Sequence, residues 1–66
     1  MRIVYQGTET ETAARTVGEF VDAKFPQRAC VLVEYKGEAY GAGADLDSLP
    51  LEEGAELNVF KIVAGG

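Results

Sequence analysis

Histidine and tryptophan are absent from this sequence, cysteine occurs once and proline twice. Without histidine the chain lacks both the commonest general base and the commonest metal ligand. The lone Cys30 has no partner for an internal disulfide, and zinc or iron-sulfur ligation asks for several Cys or His, so a reducing cytoplasm is the expected setting. Positive charge is scarce: six Lys and Arg stand against eleven Asp and Glu, a formal net charge of -5. Nucleic acid and anionic membrane surfaces are expected to repel such a chain. Long apolar runs are missing too. Ala29-Cys30-Val31-Leu32-Val33 is the longest, far short of the roughly 20 residues that span a bilayer, and no apolar stretch follows Arg2 as a secretory signal would require. With 66 residues, a chain buries only about 60% of the surface its unfolded form exposes, enough for one small core and too little for a separate catalytic domain.

What is present is regular local patterning. Ile3-Val4-Tyr5 is rich in strand formers, Gln6-Gly7 supplies a turn, and Thr and Glu alternate from Thr8 to Thr12, which predicts a hairpin with a polar edge strand. Thr16-Val17-Gly18-Glu19 fits a capping box, the Thr16 hydroxyl accepting from the Glu19 amide while the Glu19 carboxylate reaches back. A helix is expected from Val17, with Val17, Phe20, Val21 and then Phe25 on one buried face and Glu19, Asp22 and Lys24 outward. Pro26 disfavours helical geometry at Phe25 and ends it. Cys30 to Tyr35 reads as a strand, turned at Lys36-Gly37 into a partner through Tyr40. The stretch 41–50 reads as an irregular connection pinned by Leu46, Leu49 and Leu51. After a turn at Glu53-Gly54, a last strand runs from Glu56 to Ala64 and ends in Gly65-Gly66.

Two hairpins flanking one helix, with a final strand to complete the sheet, predict the α+β arrangement called the β-grasp: a mixed five-stranded sheet around one main helix. One helix covers only one face of such a sheet. The last strand nevertheless carries Leu57, Val59 and Val63 on one row and Phe60, Ile62 and Ala64 on the other. The helix is the only element available to bury Leu57 and Val59, and Lys61 on the same row needs to reach solvent near the sheet's end, so Leu57 and Val59 are expected to face the helix. Phe60, Ile62 and Ala64, joined by Leu32, are then expected on the uncovered face as a surface for a partner. The whole chain, 1–66, reads as one domain, with 64–66 as a flexible tail because glycine has the most backbone entropy to lose on ordering.

Other features have plain readings. Cys30 fits a small strand hydrophobe with no thiolate-lowering base beside it. Gly41-Ala42-Gly43-Ala44 is followed by Asp45 and Asp47, where a phosphate-binding loop would want a Lys and a well-patterned helix. Asp45, Asp47, Glu52, Glu53 and Glu56 lack a calcium-loop spacing and read as a solvated acidic surface able to steer a basic partner. No metal site is expected.

A Gly-Gly pair directly after a strand in this arrangement is the most specific signal. With Ile3-Val4-Tyr5, Thr16-Val17, Val31-Leu32-Val33, Lys36-Gly37-Glu38 and Leu51-Glu52-Glu53-Gly54, the chain resembles the ThiS family of sulfur-carrier proteins, relatives of ubiquitin that end in Gly-Gly. It departs from that family's common pattern at Lys36-Gly37-Glu38, where Asn-Gly-Glu is frequent, and at Tyr40-Gly41-Ala42, where Val-Pro-Arg is frequent. The resemblance implies a protein co-substrate and not an enzyme, with no stably bound cofactor. A ThiF-like adenylyltransferase using ATP and Mg would activate Gly66, a sulfur-donor protein would supply sulfur, and a ThiG-like thiazole synthase would take it from the Gly66 thiocarboxylate. Gly65 gives clearance for the tail to enter a narrow channel. Two alternatives stay open: a carrier for another pathway, such as the small subunit of molybdopterin synthase, or a ubiquitin-like modifier or plain β-grasp binding module.

Overall fold

The computed structural model describes residues 1–25, 31–41 and 43–62. Strand β1 (Arg2–Tyr5) turns at Gln6-Gly7 into β2 (Thr8–Glu11); helix α1 (Val17–Lys24) follows, then β3 (Val31–Tyr35), β4 (Glu38–Tyr40), one turn of 3-10 helix at Leu46–Ser48, and β5 (Glu56–Lys61). Both hairpins are closed by two-residue turns, and their central residues all lie at positive φ: 52° and 80° at Gln6 and Gly7, 53° and 85° at Lys36 and Gly37. That is the type I′ turn, whose twist matches the strands it joins, and glycine at its second position carries no Cβ penalty. The sheet order is β2-β1-β5-β3-β4. All neighbours are antiparallel except β1 and β5, which run parallel with Val4 beside Glu56 and Tyr5 beside Leu57. A parallel pair needs a long crossover, and everything from β2 to the connection before β5 provides it.

Helix α1 begins as its cap predicts. Thr16 is extended, and its hydroxyl accepts from the Glu19 N–H at 3.1 Å. The Glu19 carboxylate reaches one residue further back than a capping box requires, to the N–H of Arg15 at 2.7 Å. Thr16 is bridged to Pro50 by bonds from Val17 N–H to the Leu49 carbonyl and from Leu51 N–H to the Arg15 carbonyl, which draw the connection 43–52 against the helix start. Phe25, preceding Pro26, is extended and donates its N–H to the Val21 carbonyl, ending the helix.

One apolar cluster fills the space between helix and sheet: Val17, Phe20 and Val21 from α1, Ile3, Val31, Val33, Tyr35, Leu57 and Val59 from the strands, and Leu46 and Leu51 from the connection. Phe25 and Leu49 pack at its margin, half-buried. Tyr5 meets Phe20 edge to face with ring centroids 5.0 Å apart, and the Lys24 amine lies over both rings. Two expected boundaries move. Strand β2 stops at Glu11, although Thr12 still donates to the Met1 carbonyl. Strand β5 stops at Lys61, where its antiparallel register with β3 ends at Val31. Cys30, Val63 and Ala64, expected in strands, lie outside the described residues.

Candidate functional site

Alternation along β5 sorts its side chains between two environments. Leu57 and Val59 point at the helix and are 0% and 3% exposed. Phe60 and Ile62 are 50% and 51% exposed, on the side of the sheet the helix leaves bare. Lys61, on the inner row, is solvent-exposed at the sheet's end. Leu32 of β3 stands opposite Phe60 in the register and is half-buried, so Leu32, Phe60 and Ile62 meet on the bare face. Two residue pairs along and so on the same face, the Asn58 amide donates to the Glu34 carboxylate at 3.1 Å. The β1–β2 half of that face is charged: the Arg2 guanidinium sits 3.4 Å from both Glu9 and Glu11 across the hairpin. The outer face is thus apolar at the end of β5 and ionic at its far edge. Ala64, Gly65, Gly66 and Cys30 lie outside the described residues.

Gln6 escapes a reading by residue type, which treats it as a turn residue. Its side-chain amide reaches β5, Nε2 donating to the Val59 carbonyl at 2.8 Å and Oε1 accepting from the Val59 N–H at 3.3 Å. The available signal was a long amide in a turn position where Asn or Gly is the usual choice.

A shallow surface hollow of about 300 Å³ opens on the other side of β3, between Tyr35, Tyr40, Leu49 and Pro50. Its chemistry is structural. The Tyr35 hydroxyl donates to the Pro50 carbonyl at 2.7 Å and accepts from the Glu52 N–H at 3.0 Å, and the Lys36 amine pairs with Glu52 at 2.7 Å. Burial pushes the Tyr35 phenol above its usual pKa despite the opposing Glu52 N–H, and the Glu52 carboxylate raises that of Lys36. Among the described residues no group of three or more His, Cys, Asp or Glu is placed to hold a metal ion. No described helix is long and apolar enough to cross a membrane.

No protein-family model matches the chain. No curated protein matches it significantly. Among solved structures, it is similar to the crystal structure of the thiamine biosynthesis protein ThiS from Geobacter metallireducens, with a TM-score of 0.77 and 26% sequence identity over 100% of both chains. The likeness read from the residues therefore holds over the full length, and the mixed five-stranded sheet with one helix is a ThiS-like β-grasp.

Proposed function

We propose that this chain is a sulfur carrier whose Gly66 carboxylate is adenylated, converted to a thiocarboxylate and spent as the sulfur source for the thiazole of thiamine. The observation that carries this reading is the end-to-end likeness to a ThiS protein, in a sequence whose last strand is followed by Gly65-Gly66. A carboxylate is a poor acyl donor. Attack of Gly66 on the α-phosphate of ATP, at an adenylyltransferase that holds the Mg-ATP, releases pyrophosphate and leaves an acyl-adenylate. A persulfide sulfur then displaces AMP, and thiol cleavage of the resulting acyl disulfide leaves the thiocarboxylate. The catalytic groups belong to the partners, an adenylyltransferase of the ThiF kind, a sulfur donor and a thiazole synthase of the ThiG kind; this chain is their co-substrate.

In this reading the chain's own contribution is docking and presentation. Phe60, Ile62 and Leu32 form the docking surface, to which the sequence alternation adds Ala64, and Gly65 allows passage through a channel that any Cβ would obstruct. Intact-mass measurement after incubation with the adenylyltransferase, Mg-ATP and a sulfur source tests it. The expected product is heavier by the exchange of one oxygen for one sulfur, and deletion of Gly66 or addition of a residue after it abolishes the change. An extended protein converted in unchanged yield overturns the proposal, and isopeptide adducts on protein lysines would replace it with a modifier role.

A further inference from the structure

Strand β1 leaves the sheet before β5 does. Its last paired residue, Tyr5, stands beside Leu57, and the Gln6 N–H donates to the Leu57 carbonyl at 3.1 Å. The hairpin turn then carries the chain away into β2. A parallel strand running on would offer Val59 the main-chain carbonyl of residue 6 and the N–H of residue 8. The Gln6 side chain supplies the same two groups, its Oε1 accepting from the Val59 N–H and its Nε2 donating to the Val59 carbonyl. A carboxamide carries the carbonyl and N–H of a peptide unit, so one side chain serves as one more rung of the ladder.

The residue type at this position points the same way. With φ at 52°, residue 6 occupies the left-handed region, where Gly and Asn are the favoured residues and a longer side chain carries a steric cost. Glycine would make the turn with less strain but no clamp. The clamp also falls at the end of the sheet that matters for docking. On its other edge β5 is held by β3, with Leu32 opposite Phe60 and Glu34 opposite Asn58. Val59 is thus fixed from both sides immediately before Phe60 and Ile62.

We infer that Gln6 is a positioning residue for the docking surface: by holding the main chain of Val59 it sets the orientation in which Phe60 and Ile62 meet the adenylating partner. The inference rests on the carrier reading above. A residue that served only the turn would be replaced by glycine without loss.

Gln6→Gly and Gln6→Glu, examined by amide hydrogen exchange and by steady-state kinetics of thiocarboxylate formation, test this. In Gln6→Gly the hairpin persists, the Val59 amide exchanges about 2- to 10-fold faster, the span of one lost hydrogen bond, and the KM for the carrier rises with kcat little changed. Gln6→Glu keeps the acceptor but loses the donor while ionised. Its carboxylate then faces the Val59 carbonyl with like polarity, so at pH 8 its KM for the carrier rises toward that of the glycine variant, while the Val59 N–H, which keeps its acceptor, exchanges more slowly than in that variant. Unaltered Val59 exchange overturns the clamp. Faster exchange with unaltered KM reduces Gln6 to a stabilising residue and overturns the positioning role. A parent chain that acquires no sulfur overturns the carrier reading itself, an outcome distinct from both.

Discussion

Val59 and Phe60 are neighbours in the chain with opposite fates, 3% and 50% exposed, and the contrast separates stability from recognition. Val59→Ala removes methyl groups from the middle of the core, at about 0.8 kcal/mol for each buried carbon plus a cavity term, so a loss of about 2 kcal/mol is expected. Phe60→Ala removes a ring that faces water in the free protein. Its cost to the fold is small, and its expected cost to binding of the adenylating partner is about 1–3 kcal/mol, the range for an interface anchor. Thermal melts and binding titrations on the two variants distinguish the roles. A Phe60→Ala protein that unfolds while Val59→Ala stays intact would place the core on the other face of β5. The assignment was legible in the sequence because the helix is the one element available to bury Leu57 and Val59, and Lys61 on their row falls where the sheet ends and its amine can reach solvent.

At the scale of elements, Tyr35 is where strand and connection are joined. Its hydroxyl bridges the Pro50 carbonyl and the Glu52 N–H, 15 and 17 residues away, and so fastens the segment before β5 to β3. Tyr35→Phe keeps the ring and strands both partners, an expected loss of about 1–3 kcal/mol. The pH dependence has a definite sign. The folded-state pKa of Tyr35 lies above its ordinary value near 10, so its contribution is complete below that value and is lost as pH rises through the higher folded one. Lys36, raised by its pair with Glu52, runs in the same direction, but the pair is exposed and contributes little. Melting temperatures followed from pH 8 into the alkaline range should therefore fall more steeply for the parent than for Tyr35→Phe. Equal slopes would remove Tyr35 as the cause. Helix α1, by contrast, is specified by its own neighbourhood: the Thr16 cap, the apolar face of Val17, Phe20 and Val21, and the stop before Pro26 are all read within a few residues.

At the scale of the molecule, one apolar cluster among the described residues gathers side chains from α1, the strands and the connection. None of these pieces can keep its buried face without the others. Unfolding is expected to be two-state, with amide circular dichroism and tyrosine fluorescence giving coincident transitions; separated midpoints would show that a hairpin survives alone. The sequence by itself determined the order of strands and helix, the hairpin turns at Gln6-Gly7 and Lys36-Gly37, the helix limits, the inner and outer rows of β5 and, from two hairpins flanking one helix, the β-grasp, because periodicity, capping and turn chemistry act over two to eight residues. Only the tertiary structure decided that the Gln6 amide would lie beside Val59, 53 positions away, and that the Tyr35 hydroxyl would find Pro50 and Glu52. Those partners meet because β1 and β5 run parallel at the centre of the sheet and the connection folds back over β3. A polar side chain's type states what it can bond, but only the packed chain brings a particular donor or acceptor within reach.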